Sequence, residues 1–548
     1  MDLRSPFQTL PMLIVYKVVE YLEGCPRKLH GSSTDDYSKK GDALAPLLLV
    51  SERWSTAALA SICSVCTLSF SHSREAIEVR FPGWPSSVPH SQYSKTHLAK
   101  KVIASVNVWQ ELCDGKLCEV ITLPQYENLS FPSARFFELR LSKTAKKDGV
   151  ASNSVSHSVR APEISQEQVA SAVRCLLRLV PAVVDVDMTA CSIGDTEPNF
   201  VQLYEWLVTE LCRGCAKSLR IWSWTRDTEL SLSLSNISGL TSITQGNNVS
   251  NSTFTTLAYL NAKTLKSLDI VLLEDDWYNL VYGGTEDDMV YADLASLKLR
   301  VDEGVPYDIT WRAINDVESF PVLSTLDVRG GYPFGDDLLF RGNGETLQNL
   351  RLPFSALCRN ALGRFDVLKR SGVTRMNSIH IGKIYEADEE FLTANPDVLI
   401  EKQVHRILEM TSSLVLLNDT KARHLLNSIC SAPNTATLEY LEFDTLNFYA
   451  NGVFNMIAAL PSLFSLKCRV SCCGPAVEKA PASERPSTLY AERYPLSHNF
   501  RALKTTYVAK ASAREMAHVA MLLMVVCPSL KTVDVIPSLR NEFSREIA

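Results

Sequence analysis

The stretch from Leu265 to Ile381 states one short phrase five times: LKSLDI (265–270), LASLKL (294–299), LSTLDV (323–328), LQNLRL (347–352) and MNSIHI (376–381). Apolar residues fill places one, four and six, and successive starts lie 29, 29, 24 and 29 residues apart. Alternation with period two is the mark of a β-strand buried on one face. Places four and six are therefore expected in the core and place five on the opposite face. The phrase returns at Leu438/Leu441/Phe443 and Leu530/Val533/Val535, and the same rule expects it at Ile103/Val106/Val108 and Phe136/Leu139/Leu141. Between Met376 and Leu438 lie 62 residues, about two periods, so LVLL at 414–417 is expected to supply a degenerate copy.

A second element punctuates the first: VPAV (180–183), FPVL (320–323), LPSL (460–463) and CPSL (527–530). Proline there ends a preceding helix and biases the chain toward extended structure. Helical patterns do precede it. Ser165 with Gln168 and Ser512 with Glu515 have capping-box spacing. Behind them Val169, Val173, Leu176, Leu177 and Val180, or Met516, Val519, Ala520 and Leu523, share one stripe. In residues 396–410, Pro396 takes the first helical position behind Asn395, and Ile400, Val404, Ile407 and Leu408 share a face. Strand, turn and helix thus recur with a period near the ~20–29 residues of stacked solenoid units, whose neighbours share a continuous core.

Composition narrows the function classes. The 548 residues are 46 % hydrophobic and 21 % charged with a net charge of -6, which argues against wholesale disorder and gives no basic footprint for nucleic acid. The apolar run 517–527 is shorter than the ~20 residues of a membrane helix, and the N-terminal run carries Lys17 and Glu20 instead of a cleavage site. No membrane span is expected, and cytosol or nucleus is the expected location. Fifteen cysteines, an odd number, are read as reduced thiols rather than a disulfide framework. Cys63/Cys66 and Cys212/Cys215 have zinc-ligand spacing, yet buried thiols are the better reading, and no metal or cofactor is expected. The acidic clusters at 274–276, 286–288 and 388–390 read as solvated turns. Phosphate-loop, nucleophile-elbow and HExxH patterns are missing, so no catalysis is expected.

Ahead of the repeats stand LPMLIVYKVVEYL (10–22) and ALAPLLLVSERWSTAALASIC (43–63), separated by a polar insert at 23–41. An opening Leu-Pro, a helix ending in Tyr-Leu, a Leu-rich segment and Val-Ser-x-x-Trp make this head resemble an F-box, and the body resembles an irregular leucine-rich-repeat solenoid. The resemblance implies an α/β chain in which a helical F-box-like head (1–65) and a connecting segment (66–100) precede a solenoid (101–548). That solenoid would carry a parallel β-sheet on its concave face, helices on its convex face and loop inserts at 142–163 and 472–495. It further implies a substrate-receptor subunit of a cullin-RING ubiquitin ligase, with a Skp-type adaptor and the ligase core as partners. The matching adaptor-facing positions are Leu10, Pro11, Ile14, Val18, Leu22, Leu44, Leu48, Val50 and Trp54. The alternative is a non-enzymatic repeat scaffold whose head only caps the first repeat.

Place five gives a polar column: Asp187, Asp269, Lys298, Asp327, Arg351, His380, Glu442, Lys467 and Asp534. Its mixed signs suit a protein surface, and the central members Asp269, Lys298, Asp327, Arg351 and His380 are the expected target-binding set.

Overall fold

A computed structural model describes residues 12, 15, 16, 18, 19, 44–71, 76–84, 95–107, 116–142, 165–191, 198–214, 216–223, 231–246, 249, 251–272, 280, 290–301, 320–330, 346–352, 375–382, 405, 407–416, 429, 437–471, 497, 499–505 and 527–535. The chain divides into two compact units, Met1–Leu265 and Lys266–Ala548. The helix patterns at 512–523, the inserts 23–41 and 472–495, and the three acidic clusters lie outside the described residues.

In the first unit, helix α1 (Glu52–Ile62) leads into strands β1 (Val65–Ser71) and β2 (Ala76–Arg80). Then come β3 (Lys101–Asn107), α2 (Lys116–Thr122), β4 (Phe136–Ser142), α3 (Gln166–Leu179), β5 (Asp185–Cys191) and α4 (Pro198–Gly214). Strands β6 (Ser218–Ser223) and β7 (Ser242–Gln245) and helix α5 (Asn251–Leu260) complete it. Strand β1 pairs antiparallel with β2 and parallel with β3, after which each strand through β7 pairs parallel with the next. The sheet therefore begins at Val65, the last residue of the expected head, and continues through the stretch that the sequence leaves as a connecting segment.

Among the described residues the second unit carries ten strands in sequence: β8 (Ser267–Leu272), β9 (Ser296–Val301), β10 (Thr325–Gly330), β11 (Asn349–Leu352), β12 (Ser378–Ile381), β13 (Ser413–Leu416), β14 (Tyr440–Tyr449), β15 (Ser465–Ser471), β16 (Ala502–Thr505) and β17 (Thr532–Val535). Each pairs parallel with its successor. Helix α6 (Ala450–Ala459) joins β14 to the turn before β15. Repeated strand, turn and helix units in parallel register give both units a solenoid-like α/β arrangement.

The repeat explains the register. Place-four residues Leu268, Leu297, Leu326, Leu350, Ile379, Leu414, Leu441, Leu466 and Leu503 stand opposite one another strand by strand. All are buried, as are the place-one residues Leu294, Leu323, Leu347, Met376, Leu438, Leu463 and Phe500. Shifting a strand by one residue would turn its whole apolar set toward water, so the pattern itself fixes the pairing. The proline tetrapeptides are tight turns. Val183 N–H donates to Val180 O at 3.2 Å, Leu323 to Phe320 at 3.3 Å, Leu463 to Leu460 at 3.0 Å and Leu530 to Cys527 at 2.9 Å. Proline supplies the φ that the second turn position needs, while the flanking hydrophobes are buried, except Leu530, which is half-buried. Leu414, Val415 and Leu416 of LVLL lie in β13, while Leu417 is outside the described residues; the anchor is Thr411, whose buried hydroxyl donates to Ser413 O at 2.9 Å.

In the first unit the phase differs from the expectation. Val102 and Phe137 occupy place four, in register with Cys66, Val186, Leu219 and Ile243. Place one is then Cys63, Ala99, Ala134, Val183, Ala216 and Leu240, all buried. The anchors expected at Ile103 and Phe136 are thus displaced along the chain by four and two residues, which keeps the inward face, and Val106, Leu139 and Leu141 are buried as expected. Three anchors are alanine, and KVIASVN and FFELRLS carry apolar residues on both faces, so a leucine template slides along them.

Helix α3 has the expected capping box: Gln168 N–H donates to Ser165 Oγ at 3.2 Å and Ser165 N–H to Gln168 Oε1 at 3.0 Å. Its stripe Val169, Val173 and Leu176 is buried, with Val180 just beyond.

Candidate functional site

In the head, Val15 and Val19 are buried and Val18 is half-buried; Leu10, Pro11, Ile14 and Leu22 lie outside the described residues. A short 3-10 helix, Ala45–Leu49, precedes α1. Leu44 is 0 % and Trp54 5 % exposed, so these two expected adaptor contacts belong to the interior of their own unit. Leu48 is half-buried. Among the described residues of the head, the large apolar side chains that remain in water are Tyr16, 40 % exposed, Leu49, 91 %, and Val50, 47 %. Leu49 was missed because a run of three leucines gives no phase by itself; the buried Leu44 and Trp54 set it.

Place five of the second unit forms the expected continuous column. Asp269 stands opposite Lys298, Lys298 opposite Asp327, Asp327 opposite Arg351, Arg351 opposite His380, His380 opposite Val415, Val415 opposite Glu442 and Glu442 opposite Lys467. Lys504 and Asp534 continue the backbone register. Val415 and Lys504 were absent from the sequence column, the first because its unit is degenerate.

Strands about 4.8 Å apart bring these charges within reach of one another, and the acids are partnered. Asp269 Oδ1 lies 3.3 Å from Arg300 Nε. Asp327 receives Arg329 Nη2 at 2.7 Å and Nε at 3.1 Å, with Arg351 Nε 3.5 Å away. Glu442 binds Lys467 and accepts the Tyr440 hydroxyl at 2.6 Å. That bond and burial push the Tyr440 phenol up, burial leading. Burial and then Arg351 hold His380 below the usual histidine range, against the pull of Glu442 and Asp327. Arg300 and Arg329 occupy place seven, the next residue on the same face, and the period-two rule could have found them. Around Asp327 the face presents an exposed arginine, Arg329, bidentate on the buried carboxylate, beside the half-buried Arg351.

The first unit carries its own polar cluster on the corresponding face. Glu138 and Asp187 are buried neighbours in register. Glu138 accepts from Lys101 Nζ at 2.6 Å and Arg140 Nε at 2.5 Å. Burial alone would raise the Glu138 carboxyl, but those two cations outweigh it and hold the group below its ordinary value. Asp187 has only Arg220 at 4.0 Å, and its Oδ1 is sealed without a hydrogen-bond partner. Burial, then Glu138, push Asp187 up to about 6. Arg220 lies 5.7 Å from the Trp222 ring centroid, and Trp222 rests on Gly246, where a Cβ would come within 2.6 Å of the indole.

Cys63 and Cys66 stand at places one and four of the first repeat, in the room leucine takes elsewhere. Burial raises Cys63 to about 12 and Cys66 higher still, the behaviour of core thiols rather than ligands. Cys212 is half-buried on α4, and Cys215 lies outside the described residues. Among the described residues no three His, Cys, Asp or Glu side chains gather as a metal site, and no helix is long and apolar enough to cross a membrane. The chain matches no protein-family model and no curated protein.

Proposed function

We propose that the chain is a non-catalytic substrate receptor of a cullin-RING ubiquitin ligase, in which an F-box-like head holds a Skp-type adaptor and a leucine-rich-repeat sheet holds a target protein. The observation that carries this reading is the Leu49–Val50 turn. Two large apolar side chains stand in water beside Leu44 and Trp54, which are buried. Covering such a pair is worth about 1.5–3 kcal/mol per side chain, and nothing in the folding of the head requires their exposure. The polar face around Asp327 then supplies the target contacts Asp269, Lys298, Arg351 and His380. The chain acts by tethering, which raises the effective concentration of the ligase at the target. The cytosol or nucleus is the compartment this reading requires.

Because Leu49 and Val50 are exposed, the double substitution Leu49→Asp/Val50→Asp is expected to leave the folded state within about 0.5 kcal/mol of wild type while weakening adaptor binding at least about tenfold. Co-purification and calorimetry against a Skp-type adaptor measure the second quantity, and thermal unfolding measures the first. Equal binding by wild type and variant, or binding by neither, overturns the reading. The burial of Val15, Val19, Leu44 and Trp54 favours a second reading, a repeat scaffold whose head is only a cap, and that is what would remain.

A further inference from the structure

Helices α2 and α3 of the first unit meet along a narrow polar seam. Cys118 Sγ lies 3.6 Å from Ser171 Oγ. One turn along the same face of α3 stands Cys175, a half-buried thiol whose surroundings include Cys118. Further on, Arg178 Nη2 donates to Ile121 O at 3.4 Å, so the two helices advance together. Both thiols are free and half-buried, whereas Cys63, Cys66, Cys468 and Cys527 are sealed in the core. Neither the head nor the polar sheet faces use this pair.

We propose that Cys118 and Cys175 form a redox modification site, in which hydrogen peroxide converts the facing thiols into a reversible disulfide that staples α2 to α3. The Cys118 sulfur attacks one peroxide oxygen; the O–O bond breaks, a sulfenic acid forms and water leaves with the thiol proton. The Cys175 sulfur then attacks the sulfenic sulfur; the S–S bond forms, the S–O bond breaks, and a second water carries off the hydroxyl and the remaining thiol proton. Two thiols and one peroxide thus yield one disulfide and two waters, and a dithiol reverses the step by exchange. Burial, then Cys118, raise Cys175 to about 11 against the opposing pull of Arg178 and Arg174. That suits Cys175 to the second step, where helix packing rather than thiolate content supplies the rate. The staple closes a loop that contains all of β4, the strand of Glu138 and Arg140.

Trypsin separates the two sulfurs, Cys118 into residues 117–135 and Cys175 into residues 175–178. The folded full-length chain is treated with hydrogen peroxide, its remaining thiols are alkylated, and the digest is read by mass spectrometry. The two peptides are expected joined, lighter by two hydrogens than their sum, and freed by dithiothreitol. Cys118→Ser and Cys175→Ser should each abolish the joined species, along with a rise of several degrees in the midpoint of thermal unfolding that the staple confers on wild type. Recovery of both peptides separately alkylated, until one sulfur has passed to sulfinic acid, would overturn the proposal. So would a joined species that forms only in denaturant.

Discussion

Asp187→Asn is expected to stabilise the first unit at neutral pH and to remove a slope from its stability profile. The carboxyl titrates near 6 in the folded chain against an ordinary 3.8, because burial and then Glu138 disfavour its charge. Below about pH 4 it is protonated in both folded and unfolded chains and contributes nothing to the difference. Between about 4 and 6 the folded state keeps a proton that the unfolded chain has released, so stability falls as pH rises. Above 6 the penalty is constant, about 2–3 kcal/mol from the width of that window. Glu138 works the other way: its lowered value gives stability above the unfolded range that is lost on acidification, so the Asp187 slope is cleanest between about pH 4.5 and 6. The amide removes the buried charge and forgoes a 4.0 Å contact with Arg220. The net gain expected at pH 7.5 is about 1–3 kcal/mol, shrinking toward zero near pH 4. Denaturant melts of both proteins from pH 4 to 8 measure it, and parallel profiles would remove Asp187 from the account.

That residue also shows what a single sequence can and cannot disclose. Period two assigns Asp187, Asp269 and His380 each to the face of its strand opposite the core, since side-chain direction along a strand follows from geometry alone. It could not tell that Arg329, two residues along the same strand, would fork onto Asp327 while Asp187, 4.0 Å from Arg220 of the neighbouring strand, would keep an oxygen with no donor, because those pairings depend on how the side chains turn and not on which face they occupy. The spacing of the second unit was legible because its anchors are mostly leucine. In the first unit Cys63, Ala99, Ala134 and Ala216 do the same work with less volume, and the adjoining helices α2 and α3 supply the rest of the core. The Cys63/Cys66 pair is the sharpest case. As a motif it suggests zinc; as places one and four of a repeat it is a small-volume version of Leu-x-x-Leu. Trp54 was the opposite failure. A motif that marks a partner-facing helix elsewhere lies here against its own unit, and sequence gives no sign of which neighbour covers an amphipathic face.

Replacing Asn261 by alanine should cost about 3–5 kcal/mol, a large loss for a polar residue outside every proposed contact. Residues 231–240 lead into β7 without a ladder of their own, turning at Gly239 with φ +84°, and their backbone groups need partners. Thr253 on α5 accepts the Leu232 N–H at 2.9 Å and donates to Leu232 O at 3.0 Å. Asn261, 1 % exposed just beyond that helix, does the rest. Its Oδ1 accepts Leu240 N–H at 2.9 Å, and its Nδ2 donates to Ile237 O at 3.0 Å and Leu257 O at 2.8 Å. An amide is the side chain that can serve one donor and two acceptors in this space. Alanine strands a buried N–H and a buried carbonyl at about 1–3 kcal/mol each and leaves a small void. Asn261→Asp keeps the acceptor but loses both donations and buries a charge, so it should do no better. Denaturant midpoints give the energy. Hydrogen exchange should show the loss concentrated in residues 231–246, with the second unit unchanged. Uniform protection in the alanine variant would mean that this crossing is held by the packing of Leu232, Leu234 and Ile237 and not by the amide.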